Sequence, residues 1–114
     1  MEHRITREEL SSLLASARPR LLLEALPAKY FEDSHLPGAR NMPHDAVAEL
    51  APALAPDKAA PIVVYCANAA CQNSHLAAVR LKQLGYTAFR VYAEGKKDWI
   101  GAGPPVEQGS VVTA

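Results

Sequence analysis

The chain has 114 residues, enough for one core, and its twelve basic and twelve acidic residues leave no net charge to draw it to nucleic acid or an anionic membrane. No apolar run approaches the length of a membrane span, and two cysteines do not make a disulfide framework. Met1-Glu2-His3-Arg4 leads into an amphipathic helix and not an apolar signal core, so the expectation is a reduced, soluble, cytoplasmic domain without an export signal.

Thr6 and Glu9 form a capping-box pattern, and Leu10, Leu13, Leu14 and Ala17 share one face of the helix that follows, which Pro19 ends. Leu21-Leu22-Leu23 is wholly apolar and fits a strand buried on both faces. Pro27 to Phe31 reads as one helical turn, Ser34 to Ala39 as a loop, and Ala39 to Met42 as a brief strand closed by Pro43. Asp45 is placed to cap a helix with Val47, Leu50, Ala51 and Leu54 inward, which Pro52 must end or kink. Ile62 to Cys66 is the clearest strand. Ser74 to Leu84 is a helix with Ala77, Leu81 and Leu84 inward and Gly85 as its C-terminal cap. Thr87 to Tyr92 reads as a strand and Gly95 to Ile100 as a short helix, while the tail after Gly101 lacks apolar periodicity.

Alternating strands and helices predict an α/β three-layer fold, a mainly parallel central sheet flanked by helices on both faces. The expected organisation is a single domain over 1–114: an N-terminal helix within 1–18, a strand–loop–helix unit over 62–84, and a tail over 102–114. In such sheets reactive groups gather at the carboxyl ends of the strands, where Cys66 stands. A cysteine between a strand and a helix N-terminus is placed for a lowered thiol pKa, because loop N–H groups and the helix dipole favour the thiolate. The competing reading is a small buried hydrophobe at a strand end.

Four segments carry a family resemblance. Ser34-His35-Leu36-Pro37-Gly38-Ala39 resembles the "G-H-I-P-G-A" signature of single-domain rhodaneses, the sulfurtransferases, with Ser34 for the glycine. Ile62-Val63-Val64-Tyr65-Cys66 resembles the strand leading to their catalytic cysteine, and Leu81 to Gly85 the end of the following helix. Glu94-Gly95-Lys96-Lys97-Asp98-Trp99 resembles "G-G-x-x-x-W", with Glu94 for one glycine. The resemblance implies that Cys66 takes sulfur from a thiosulfate- or persulfide-type donor and passes it to a thiol or other nucleophile. The active loop would be Ala67, Asn68, Ala69, Ala70, Cys71, Gln72 and Asn73, leading to Ser74. Its N–H groups would hold the transferred sulfur's negative charge.

This loop is longer than the family's usual one and contains neither glycine nor arginine, resembling a subgroup with a C-x-x-x-x-C loop. Of the family's "L-I-D-V-R" strand, Glu24 matches the acid and Leu26 replaces the arginine. Candidates to bind an anionic donor are therefore Arg40, Lys96 and Lys97, with solvated lysines as the plain alternative. His35 braces the turn before Pro37, and Trp99 and Tyr65 read as packing residues. Asn68, Gln72 and Asn73 are expected to hydrogen-bond loop backbone, with Asn73 or Ser74 as the helix N-cap.

Cys71 is a candidate resolving thiol for a Cys66 persulfide, against packing under the loop. It begins no helix and ends no strand, so the expectation gives it no part in the first transfer. With His75 close in sequence and His35 near the same mouth if the family fold holds, zinc is the other use of two cysteines, but a structural site wants four ligands and there is no second cysteine pair, so no metal and no cofactor are expected. A phosphatase or arsenate reductase would need a loop arginine, which Gln72-Asn73 does not supply. The other class is a non-catalytic rhodanese-fold module for partner binding or redox sensing. The expected partners are a small-molecule or protein sulfur donor and a thiol acceptor, with no nucleic acid and no membrane.

Overall fold

The computed structural model describes residues 3–17 and 20–109. Thr6 starts helix α1, Arg7–Ala15, by a reciprocal cap: its hydroxyl accepts from the Glu9 N–H, and the Glu9 carboxylate accepts from the Thr6 N–H. Leu10 is buried on this helix and Leu13 and Leu14 partly so; Ala17 lies exposed beyond its end, contrary to expectation. The predicted stop at Pro19 lies outside the described residues.

Strand β1 is Leu21–Glu24, helix α2 Ala28–Asp33, strand β2 Arg40–Asn41 and helix α3 Val47–Leu54. A 3-10 turn, His44–Ala46, precedes α3 and contains Asp45, so Asp45 is not the cap; Ala46 holds that place without a side-chain bond. Pro52 sits inside α3, which stops at Leu54. Strand β3 is Ile62–Tyr65, helix α4 Asn73–Gln83, strand β4 Phe89–Tyr92 and helix α5 Gly95–Ala102. Gly85 closes α4 at φ +96°, with its N–H on Lys82 O and that of Tyr86 on Leu81 O, a Schellman closure that favours glycine.

The four strands form one parallel sheet in the order β2-β1-β3-β4. One face packs Leu23, Ile62, Val64 and Val91 against Val47 and Ala51 of α3 and Ala77 and Leu81 of α4. The other packs Leu22, Val63, Tyr65 and Tyr92 against Leu10 of α1, Phe31 of α2 and Trp99 of α5. β3 is buried along its whole length because it serves both cores, and each of its large apolar side chains contributes about 1.5–3 kcal/mol. The three layers are those expected.

Two additions extend the sheet region. His3 to Ile5 runs beside β4: Val91 N–H donates to His3 O and Ile5 N–H to Val91 O. Glu107, in the tail that showed no periodicity, pairs antiparallel with His35 through both backbone bonds, at 2.8 and 2.9 Å. Among the described residues no helix is long and apolar enough to cross a membrane.

The chain leaves β1 toward β2 on one side and β3 toward β4 on the other. The crevice outside the carboxyl ends of β1 and β3 is therefore the topological switch point, the usual place for a site in a parallel sheet. Glu24 ends β1 there, and Cys66 follows β3.

Candidate active site

Cys66 has no exposed surface. Its sulfur lies 3.3 Å from the Cys71 carbonyl oxygen and 3.4 Å from the Ser74 hydroxyl. Burial pushes its thiol pKa up, and the adjoining Cys71 thiol pushes the same way; the Ser74 hydroxyl and N–H pull it down but do not prevail. The expectation of a lowered thiol pKa is thus overturned for this closed loop. Enclosure removes more solvation from the anion than the first turn of α4 restores.

The loop's N–H groups also differ from expectation. Those of Ala70 and Cys71 are spent on the Asn68 side-chain oxygen, each at 3.0 Å, and Cys71 N–H also meets Asn68 O. Asn68 thus ties the loop backbone as predicted. Asn73 lies within α4, as does Ser74, and Gln72 takes the N-cap position with no side-chain bond, so neither predicted cap is used.

The loop base is fastened to α5. Lys96 N–H donates to Cys66 O and Lys97 N–H to Ala67 O, both at 2.8 Å. Gly95 makes this possible: it has φ +74°, and a Cβ there would lie 2.7 Å from Cys66 O. Glu94 has helical φ −66°, and Ser34 extended φ −167°, so neither position demands the family's glycine.

Beneath the loop lies a buried polar cluster. Glu24, fully enclosed, accepts from the Tyr65 hydroxyl at 2.7 Å and from the Lys96 ammonium at 3.2 Å. That ammonium also donates to Tyr30 O and Ser34 O, and the Tyr65 oxygen accepts from Leu36 N–H. Burial raises the Glu24 pKa, opposed by Tyr65 and Lys96. Lys96, nominated to bind a donor, is therefore turned inward. It supplies the cation that Leu26, in the place of an arginine, cannot. A retained acid beside a lost arginine was the signal that Glu24 needed a distant partner.

Of the other nominated cations, Lys97 is exposed and lines two clefts beside the loop, an open one of about 800 Å³ with Arg7, Asn68 and Glu94, and one of about 330 Å³ with Ser34 and Ala67. Cys66 lines neither. Arg40 is exposed on edge strand β2, paired by register with Leu23, and lines neither cleft. His35 stacks on Phe31 at 3.8 Å, and its Nδ1 is 2.8 Å from Phe31 O, which braces the turn. Sequence reasoning missed Arg7, whose guanidinium meets Asp98 at 2.9 Å while Tyr92 donates to the same carboxylate, so that both hold the Asp98 carboxyl below its ordinary range. Among the described residues no three His, Cys, Asp or Glu side chains are grouped to hold a metal ion.

Known structures share this architecture. The chain superposes with a TM-score of 0.84 on thiosulfate sulfurtransferase from Pseudomonas aeruginosa at 23% identity, covering 96% of this chain and 21% of that one. A protein from Anabaena gives 0.82 at 24% identity, covering 94% and 81%. A rhodanese with anions from E. coli gives 0.67 at 28%, covering 79% and 99%. No curated protein matches the chain significantly. The sequence profile of the rhodanese-like domain matches residues 6–102, across β1 to α5 and the whole Cys66 loop, and the chain belongs to the rhodanese-like domain family.

Proposed function

We propose that the protein is a sulfurtransferase that moves sulfane sulfur through a Cys66 persulfide, in a reducing, cytoplasmic setting and within the subgroup of rhodaneses that carry a C-x-x-x-x-C loop. The observation that carries this reading is the place of Cys66: at the carboxyl end of a central strand, at the switch point, with its backbone fastened to α5 and its sulfur beside Ser74. The name of the Pseudomonas neighbour supports the same chemistry.

The Cys66 thiolate attacks the outer sulfur of thiosulfate; a carbon-free S–S bond breaks, its electron pair leaves with sulfite, and Cys66–S–S⁻ remains. A thiol or other nucleophilic acceptor then takes the outer sulfur and restores the thiolate. Without an acceptor, Cys71 resolves the persulfide: its thiolate attacks Cys66 Sγ, expels hydrosulfide, and leaves a Cys66–Cys71 disulfide. Of the nominated cations, Lys97, which lines both clefts beside the loop, is the one left to attract an anionic donor.

A second reading, a redox-sensing or partner-binding module without turnover, is favoured by the full enclosure of Cys66. A thiosulfate–cyanide assay with peptide mass mapping separates the two. The sulfurtransferase reading expects turnover in wild type, one added sulfur on Cys66, and loss of thiocyanate formation to background in Cys66→Ser. Equal rates in the two proteins, or no sulfur on Cys66, would sink it.

A further inference from the structure

We infer that the end of the sheet opposite Cys66 carries a second binding site, for a small carboxylic acid with a compact apolar body. A cleft of about 330 Å³ opens there at the amino ends of three strands. Arg20 stands just before β1, Pro61 and Ile62 at the start of β3, and Arg90 within β4. Leu13 of α1, Val63 and Ala88 complete its wall. Cys66 follows the far end of β3, and no residue of its loop lines this cleft.

Arg90 is the residue that calls for a ligand. Side chains alternate along a strand, and Tyr92 packs on the face toward α1 and α5 while Val91 packs on the other. Arg90 therefore shares the Tyr92 face and lies in register with Val63, where an apolar side chain would be the ordinary choice. Among the described residues its guanidinium makes no hydrogen bond and no ion pair, in contrast to Arg7, which Asp98 holds. Glu9 acts on Arg90 only through space. It lines a neighbouring cleft of about 390 Å³ with Arg90, and its carboxylate accepts from the Thr6 N–H at 2.9 Å. Arg20 is fixed beside the cleft, its Nη2 donating to Leu14 O at 3.2 Å.

The lining sets the class of ligand. Among the described residues two arginines and no acid line the cleft, although the whole chain carries no net charge. A guanidinium pairs with a carboxylate through two parallel N–H···O bonds, which matches the head in geometry as well as in charge. The side chains of Leu13, Pro61, Ile62, Val63 and Ala88 offer no hydrogen bond, so the body they enclose must be apolar. The volume is near the lower end of the range for ligand pockets, about 300–1,000 Å³, which limits that body to one ring or a short branched chain. Inorganic sulfate would leave the apolar wall in water, and a neutral analogue would leave Arg90 unmatched.

Titration of the isotope-labelled full chain with phenylacetate, phenylacetamide and inorganic sulfate at constant ionic strength, followed by amide NMR shifts, tests the site. Phenylacetate is expected to saturate, with its largest shifts at Leu13, Val63 and Ala88, and to bind about tenfold tighter than phenylacetamide. Sulfate is expected to bring none of these three amides to saturation. Arg90→Gln and Arg20→Gln should each weaken phenylacetate about tenfold, while Cys66→Ser binds it as wild type does. Each variant's own spectrum shows whether it is folded. Equal affinity for the acid and its amide, shifts centred on the Cys66 loop, or no saturation by about 10 mM overturns the site. Wild-type affinity in Arg90→Gln, or in Arg20→Gln should Arg90→Gln fail to fold, does the same.

Discussion

The base and the tip of the Cys66 loop are built on opposite plans. At the base, the carbonyls of Cys66 and Ala67 are held by α5, Gly95 fits against them without a side chain, and Lys96 runs down to buried Glu24. At the tip, Ala69 and Ala70 are exposed, and one asparagine side chain organises the turn. The contrast teaches that the position of the nucleophile is set by elements remote in sequence, whereas its cover is set locally. A change at the base should cost stability and activity together, and a change at the tip mainly access.

The largest break comes from Lys96→Met, which leaves Glu24 enclosed without its cation, a loss of about 3–5 kcal/mol of the kind seen when one partner of a buried pair is removed. Chemical denaturation of Lys96→Met, Glu24→Gln and the double variant measures the coupling; simple additivity would show that the pair does not hold the base. Gly95→Ala follows, at about 1–3 kcal/mol for the backbone conformation alone, before the Cβ that would meet Cys66 O at 2.7 Å is counted. A thermal melt unchanged in Gly95→Ala would deny that this contact fixes the loop.

Smallest in stability is the tip. Asn68→Ala removes the acceptor of two loop N–H groups, worth about 1 kcal/mol, yet should raise the rate of Cys66 alkylation by loosening its cover. An alkylation rate equal to wild type would mean that the cover is held by something else. The base is also sharpened by pH. Burial raises the folded Glu24 pKa above the ordinary value of 4.5, so the stability linked to this group is present below 4.5 and lost as pH rises through the folded value. Glu24→Gln should lack that decline, and parallel stability–pH curves for the two proteins would contradict it.

Much of this was legible in the sequence for physical reasons that can be named. The apolar run Ile62 to Tyr65 is long enough to mark a strand buried on both faces, and Gly85 marks a helix end because its positive φ excludes most residues. Cys66 was located by the same local signals. What local signals cannot carry is pairing at a distance: Lys96 and Glu24 are 72 residues apart, and the charge of Lys96 reads as solvated until the fold encloses it. Glu107 joins His35 through backbone groups, which leave no apolar periodicity to see. The direction of the Cys66 pKa also escaped, because a helix N-terminus is visible in sequence and the depth of enclosure is not.

The short run from His3 to Ile5 has a practical bearing on how this protein behaves in the tube. It occupies the outer hydrogen-bonding side of β4, which would otherwise present unpaired N–H and C=O groups to other molecules. Shortening the chain past Ile5 would uncover that strand and leave a template for another copy to add to, so self-association, not loss of the Cys66 site, is the first hazard of trimming there.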